Sequence, residues 1–361
     1  MAQHRAMPPL PPDTGTRSFS LLEDAPSWVV EAPLYAYALW LALRHRGLLL
    51  PTLANPSILI GGLAGESKTD LYALAGPIAR KHFAPFITIR AGTPMAEIET
   101  ARESGSLVYP LVAKPDIGLN GRGVKIVNSA DELARHLAAF PPATKILLQR
   151  YVRETGEAGV FYVRKPSEAR GRITSLTLKY FPVVVGDGHS TLRELILADP
   201  HASRRAAIYL RRNKRRLEEV VPEGEKRRIV SVGNHVRGAV FVDGEPHITE
   251  AMTDAFDRVA KDIEEFYFGR FDVRFADLEA LKQGRDFTII EYNGASSEPT
   301  HVRDSRTPAL KVWRDFMEHW RYAYEVGAEH RALGARAVPL KEIVRILRAE
   351  QALVKQYPDE E

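Results

Sequence analysis

The sequence of 361 residues contains no cysteine. That excludes a disulfide framework, a thiolate zinc site and a cysteine nucleophile. It is compatible with a reducing compartment, and a cytoplasmic location is the expectation. Long hydrophobic runs are also missing. The most apolar stretch, Ala32 to Leu43, is interrupted by Arg44-His45-Arg46 and falls short of the roughly 20 residues that span a bilayer. It reads as a buried helix, with a membrane-surface or partner-binding helix as the alternative. The N-terminal MAQHRAMPPLPPDTGTRS lacks the apolar core of a signal peptide. No internal repeat and no convincing Ser-His-Asp pattern is present. Excess charge is scarce too: +4 net, with a pI near 9.1. Such a balance suits an enzyme of anionic substrates at least as well as a nucleic-acid binder. Hydrophobic content of 45% and charged content of 27% fit a soluble globular protein long enough for two or three domains.

What is present begins near the C-terminal end. FGRFDVRFADLEA and FTIIEYNG read as two strands, joined by the turn-like Lys282-Gln283-Gly284-Arg285-Asp286 into a hairpin. Residues two apart share a strand face. Arg270, Asp272 and Arg274 therefore project together, as do Glu291 and Asn293, while Phe271, Val273 and Phe275 take the apolar face. Two carboxylates and an amide oxygen then share one surface beside a fixed cation. Hard oxygen donors of this kind suit Mg²⁺ held jointly by protein and phosphate. The alternative is an ordinary solvated strand face.

Upstream, LVAKPDIGLNGRGVKIV places Lys114 at the end of an apolar strand and then Gly118, Gly121 and Gly123. Glycines let backbone N–H groups approach phosphate oxygens, and lysine meets phosphate as a flexible point charge. Strand continues after this loop at Val124 to Val127, which argues against a helix-starting P-loop. GGLAGESKT is a near miss for that motif: Lys68 and Thr69 are in place, but Ser67 stands where glycine is required. Further on, ILLQRYVRETGEAGVFYVR offers a strand ending in Gln149-Arg150-Tyr151-Val152, suited to an adenine edge, with Glu157 spaced for a ribose hydroxyl. By itself it reads equally as a pair of core strands.

Along the chain, residues 1–20 are proline-rich and expected to be loosely packed. Residues 21–105 are expected to form an N-terminal α/β domain with a helix at 31–47, a buried strand at Ser57 to Ile60, a helix from Ser67, a strand at Phe86 to Ile89 and a helix at 94–104. Residues 106–185 would carry strands and a helix near 130–139, ending in a strand from Ile173 to Val185. Residues 186–306 would open with a helix capped by Thr191 and Glu194, continue through a very basic helix at 203–219 and a helix near 253–266, and close with the hairpin. Residues 307–361 read as an amphipathic helical extension.

Taken in order, LVAKPDIGLNGRGV, LLQRYV, GNHVRG, GRFDVRF and IIEYNG resemble the ATP-grasp superfamily of carboxylate–amine ligases, including D-alanine–D-alanine ligase, glutathione synthetase and the ATP-grasp part of cyanophycin synthetase. The resemblance runs from about 84 to 303. It implies an α+β (α/β) ATP-grasp fold holding ATP between two subdomains. It also implies roles by matching position. Lys114 and the loop of Gly118, Asn120, Gly121, Arg122 and Gly123 would bind the phosphates. Gln149, Tyr151 and Val152 would line the adenine site, and Glu157 would bind ribose. Glutamate is usual at the Gln149 position, which leaves nucleotide preference open. Lys179 would be a second phosphate cation, Asn234 and Arg237 a phosphate-reaching loop, and Asp272, Glu291 and Asn293 the ligands of Mg²⁺ or Mn²⁺. Arg270 would stabilise the developing oxyanion.

The implied reaction joins a small-molecule carboxylate to an amine, with amino acid or peptide-like substrates, through an acylphosphate, releasing ADP and phosphate. The alternatives are phosphoryl transfer to an alcohol, and nucleotide or nucleic-acid binding without turnover. The loop GASSEPTHVRD makes Ser296, Ser297, His301 and Arg303 candidates for substrate contact, against a purely structural loop, and Lys68 is a candidate upstream phosphate lysine. The basic run Arg204, Arg205, Arg211, Arg212, Lys214, Arg215 and Arg216 reads as a solvated face, an anionic-substrate site or a weak nucleic-acid contact. No aromatic platform accompanies it apart from Tyr209, so a nucleic-acid partner is not expected. No membrane span is expected, and the resemblance implies a dimer or a tetramer, with a homodimer as the partner expectation.

Overall fold

The computed structural model describes residues 7–8, 27–200, 202–230, 238–304 and 306–358. Helix α1 (Ser27–Arg44) leads through two 3-10 turns, Leu50–Leu53 and Leu59–Gly62, to α2 (Lys68–Ala73) and α3 (Pro77–His82). Then come β1 (Phe86–Arg90), α4 (Met95–Ser104), β2 (Leu111–Pro115), β3 (Lys125–Val127), α5 (Ala130–Leu137) and β4 (Lys145–Arg150). The middle of the chain forms β5 (Gly156–Val163), β6 (Arg172–Tyr180), β7 (Val183–Val185), α6 (Leu192–Ala198), α7 (Ala206–Arg212), β8 (Lys226–Arg228) and β9 (Val240–Asp243). It continues with α8 (Glu250–Lys261), β10 (Phe268–Phe275), α9 (Leu278–Lys282), β11 (Phe287–Asn293), α10 (Ala309–Ala332) and α11 (Leu340–Val354).

These elements build an α+β architecture of antiparallel sheets. A five-stranded sheet has the order β11-β10-β5-β6-β9, a four-stranded sheet the order β1-β4-β2-β3, and β7 pairs with β8 as a separate ribbon. Apolar alternation fixes which face is covered. Phe271, Val273 and Phe275 of β10 pack with Phe256 and Val259 of α8 in the largest core. The smaller sheet buries Leu111, Ile146 and Leu148 against Ile98 of α4 and Leu133 of α5, joined by Val354 at the end of α11. The ribbon, α6 and α7 have their own core around Leu192, Ile196 and Tyr209.

Several expectations need correction. The boundary placed near 105 is crossed by the smaller sheet, where β1 pairs with β4 and Phe86 faces Gln149. The division at 185 is crossed as well, since β5 and β6 lie in the five-stranded sheet with β10. Residues 27–85 form helices and turns, with only isolated bridges at Ala75 and Phe83, so they are not an α/β domain. Ser57 to Ile60 is not a strand: Ile60 and Gly61 take φ of 45° and 69°, which ends any extended run. The 173–185 strand breaks at Phe181-Pro182, where proline supplies no N–H to a ladder. The basic helix shrinks to a 3-10 turn and α7, because the Asn213 carboxamide donates to the carbonyls of Tyr209 and Ile229 and pins the end. The Thr191–Glu194 capping box forms as expected. The hairpin also forms, with α9 inside its connection.

Helix α1 is only half covered. Leu41 and Ala42 are buried beside Tyr324 of α10, whereas Tyr35, Leu39, Trp40 and Leu43 are exposed. Among the described residues no helix is long and apolar enough to cross a membrane.

Candidate functional site

Strands β10 and β11 run antiparallel with Arg270 opposite Asn293 and Asp272 opposite Glu291. Their apolar residues face the core, so the polar set lines a cleft of about 460 Å³. The cleft lies between the two sheets. Its other walls come from β2, the end of β4, β5, β6 and the loop after β2.

Most of the residues singled out in the sequence meet here. Lys68, Lys114, Gly118, Asn120, Gly121, Arg122, Gln149, Tyr151, Val152, Glu157, Lys179, Arg270, Asp272, Glu291, Asn293, Ser296, Ser297 and Arg303 all line the cleft. Gly123 does not. Its φ is 71° and an added Cβ would lie 2.8 Å from the Phe140 ring, so it shapes the loop rather than contacting a ligand. His301 is absent from the lining too. Its Nδ1 lies 2.7 Å from Ser175 Oγ and its Nε2 lies 2.9 Å from Asp315 Oδ2. The order Ser-His-Asp resembles a hydrolase relay, but Ser175 and His301 are buried and neither lines the cleft. His301 is thus a structural clasp between β6 and α10 and is corrected as a substrate contact. Asn234 and Arg237 lie outside the described residues.

The centre of the site is a chain of opposed charges. Lys179 Nζ donates to Asp272 Oδ1 at 2.8 Å and lies 3.4 Å from Glu157 Oε1. Arg270 donates through Nε and Nη2 to the two oxygens of Asp272, at 3.0 and 3.2 Å. Arg274 pairs with Glu157 Oε2 at 2.8 Å. Lys68 Nζ lies 3.5 Å from Glu291 Oε1, and Lys114 Nζ donates to the Ile290 carbonyl at 2.9 Å. Burial pushes Asp272 up, but the charges of Arg270 and Lys179 outweigh it and bring the carboxyl down to about 2. Burial acts the same way on Glu291, and Lys68 and Lys114 leave it below its ordinary value. Burial lowers Lys114 to about 8, opposed by the attraction of Glu291.

The loop after Lys114 is fastened to the segment of the P-loop near miss. The Asp116 carboxylate accepts from Thr69 N and Ser67 Oγ, both at 2.8 Å, and the Asp116 carbonyl accepts from Lys68 N at 3.1 Å. A carboxylate thus already covers the start of α2, which rules out a P-loop there. The Arg122 side chain reaches the carbonyls of Tyr357 and Lys355, at 3.1 and 3.4 Å, tying the glycine loop to the end of α11. Within the loop Asn120 and Gly121 take φ of 51° and 69°.

Sequence reasoning missed Glu66. Its Oε1 accepts from Gly294 N at 2.8 Å and its Oε2 from Ser296 Oγ at 3.2 Å. Burial raises it to about 7, against those hydrogen bonds and the charge of Lys68. The turn at Gly61-Gly62 delivers it: Ala295 N and Ser296 N donate to the carbonyls of Gly61 and Gly62, at 3.0 and 2.6 Å. Gly62 has φ of 84° and a Cβ there would meet Gly294 Cα at 2.7 Å. The only available signal was its place two residues before Lys68. Arg274 was seen on the right face but given no task.

Among the described residues no three acidic or histidine side chains cluster as a metal cage. Asp272, Glu291 and Asn293 do supply two ionised carboxylates and an amide oxygen. Mg²⁺ is characteristically held by one or two carboxylates with substrate phosphates completing its shell, so the donor set fits.

No family model and no curated protein matches the sequence. Solved structures do. A bifunctional glutathione synthetase from Pasteurella multocida is 17% identical with a TM-score of 0.36, over 70% of this chain and 36% of that one. The chain therefore spans only about a third of that protein. VanG D-Ala:D-Ser ligase from Enterococcus faecalis is 12% identical with a TM-score of 0.41, over 73% of this chain and 64% of that one. D-alanine–D-alanine ligase from Bacillus anthracis is 13% identical with a TM-score of 0.44, over 77% and 72%. Glutathione synthetase and D-alanine–D-alanine ligase are the enzymes the motifs resemble. Overlap this loose carries no argument about chemistry, which has to come from the cleft.

Proposed function

We propose that the protein is an ATP-dependent carboxylate–amine ligase of ATP-grasp type. The observation that carries this reading is the convergence of Lys114, Lys179, Arg270, Asp272 and Glu291 in one cleft beneath a glycine loop. A carboxylate oxygen attacks the γ-phosphorus of ATP, the bridging P–O bond breaks, and ADP leaves. The amine nitrogen then attacks the acyl carbon, the C–O bond to phosphate breaks, and the amine loses a proton.

Each step has a physical demand. Attack of one anion on another needs cations, which Lys114, Lys179 and Arg270 provide in a partly desolvated site. Asp272, Glu291 and Asn293 would hold Mg²⁺, which when bound neutralises phosphate charge. Gln149, Tyr151 and Val152 present a buried amide and an apolar edge to the adenine. Arg270, with Nη1 on the Glu298 carbonyl at 3.4 Å, faces the loop where the acyl group would lie and would stabilise its oxyanion. Glu66, poised near neutral pH, is the cleft carboxylate suited to accept the amine proton.

The test is equilibrium binding of Mg·ATP to the wild type and to Lys114→Met. Binding that weakens at least tenfold in the variant supports the reading, and wild-type protein that binds no nucleotide removes it.

A further inference from the structure

Beside the nucleotide cleft lies a second, larger cavity of about 950 Å³. It is walled by α1, α10, α11 and the loop after β11. The two spaces share Leu63, Ser296, Ser297, Glu298 and Arg303. Away from this junction the walls are mostly apolar, with Leu34 and Leu39 from α1, Phe316 and Trp320 from α10, and Leu340 and Ile343 from α11; Thr52 and His319 are the polar exceptions. Pockets of about 300–1,000 Å³ hold drug-sized ligands, so this one is far larger than a single amino acid requires.

The rim accounts for two of the exposed apolar residues of α1, Tyr35 and Leu39. Leu39 and Leu340 line the cavity and are each 58% exposed. Apolar side chains gathered at one opening mark a binding surface. Continuity with the reaction site identifies the occupant. Arg303 stands at the junction in an ion pair with Glu298, and Arg270 on the cleft side reaches the Glu298 carbonyl, so among the described residues the charged groups meet the apolar space at this one end.

We propose that this cavity takes the tail of the carboxylate substrate, and that the substrate is a carboxylate bearing an extended apolar group. Its head sits by Arg270 and its chain lies between α1 and α10. The inference rests on the ligase reading, and it turns Ser296, Ser297 and Arg303 into the collar between head and tail.

The experiment uses the full chain with Mg²⁺ and a non-hydrolysable ATP analogue, titrated with straight-chain carboxylates from butanoate to dodecanoate. Each added methylene is expected to tighten binding roughly three- to fourfold until the cavity is full. Leu39→Asp and Leu340→Asp, both at exposed positions, are expected to flatten that dependence while the nucleotide still binds. Affinity that does not change with chain length, or that neither variant alters, overturns the proposal. A dimer that both variants dissolve, without any carboxylate binding, would assign the surface to a second copy and overturn it as well. If the nucleotide itself fails to bind, the ligase reading fails first, and the two failures are told apart.

Discussion

Asp272 is the pivot of the charge network, and replacing it by asparagine tests the network directly. The side chain is nearly buried, at 7% exposure, and holds both Lys179 and Arg270. Its carboxyl falls from an ordinary 3.8 to about 2. A shift of nearly two pH units corresponds to about 2 to 3 kcal/mol of stability. The neutral amide of Asp272→Asn would also take from Arg270 its hydrogen-bonded carboxylate and leave Lys179 with Glu157 alone, which raises the expected loss to roughly 3–5 kcal/mol. The assay is urea unfolding without nucleotide, followed across pH. The folded pKa is depressed, so the contribution of Asp272 is complete above the unfolded value near 3.8 and disappears as pH falls through about 2. The gap between wild type and Asp272→Asn should therefore be constant from pH 7 to 5 and narrow by about 2 to 3 kcal/mol between pH 4 and pH 2. Equal stability at pH 7, or a gap that persists unchanged to pH 2, would refute the reasoning.

Three other outcomes are expected. Burial, then the charges of His301 and Arg270, lower His319 to about 3, so its neutral form is native; as pH falls below 6.5 the protein should lose about 1.4 kcal/mol per pH unit from this group, and His319→Met should remove that slope in thermal unfolding. Lys114 is charged only below about 8, so Mg·ATP affinity should fall as pH rises through that value, and Lys114→Met should abolish the dependence in a nucleotide titration. A Cβ at Gly159 would lie 3.1 Å from Arg270 Cδ and 3.3 Å from Asp272 Oδ1, so Gly159→Ala should cut turnover about tenfold or more in a steady-state assay while circular dichroism stays native.

The legible parts of the molecule were those written in short periods. The two-residue alternation of β10 and β11 placed Asp272, Glu291 and Asn293 on one surface, though the register that sets Asp272 opposite Glu291 is seen only in the structure, and the glycine loop announced itself between two apolar strands. Sheet membership was hidden because β1 pairs with β4 across more than fifty residues, a separation no local pattern encodes. Ser57 to Ile60 misled because its apolar run looks extended until Ile60 and Gly61 turn to positive φ. That same turn carries Glu66 to Gly294, so the missed turn and the missed carboxylate have one cause. Helix α1 reads as a buried helix because apolar residues surround it; only the packing shows that Leu34, Tyr35, Ala38 and Leu39 line a cavity instead.

The central claim is that a carboxylate is activated on ATP in this cleft and captured by an amine. The direct measurement is the mass of the inorganic phosphate released from Mg·ATP with an amine and an ¹⁸O-labelled carboxylate pool that includes alkanoates. Activation through an acylphosphate predicts that one labelled oxygen appears in the phosphate, dependent on the amine and lost in Lys114→Met. ADP release with unlabelled phosphate, or a phosphorylated product without amine dependence, would contradict it.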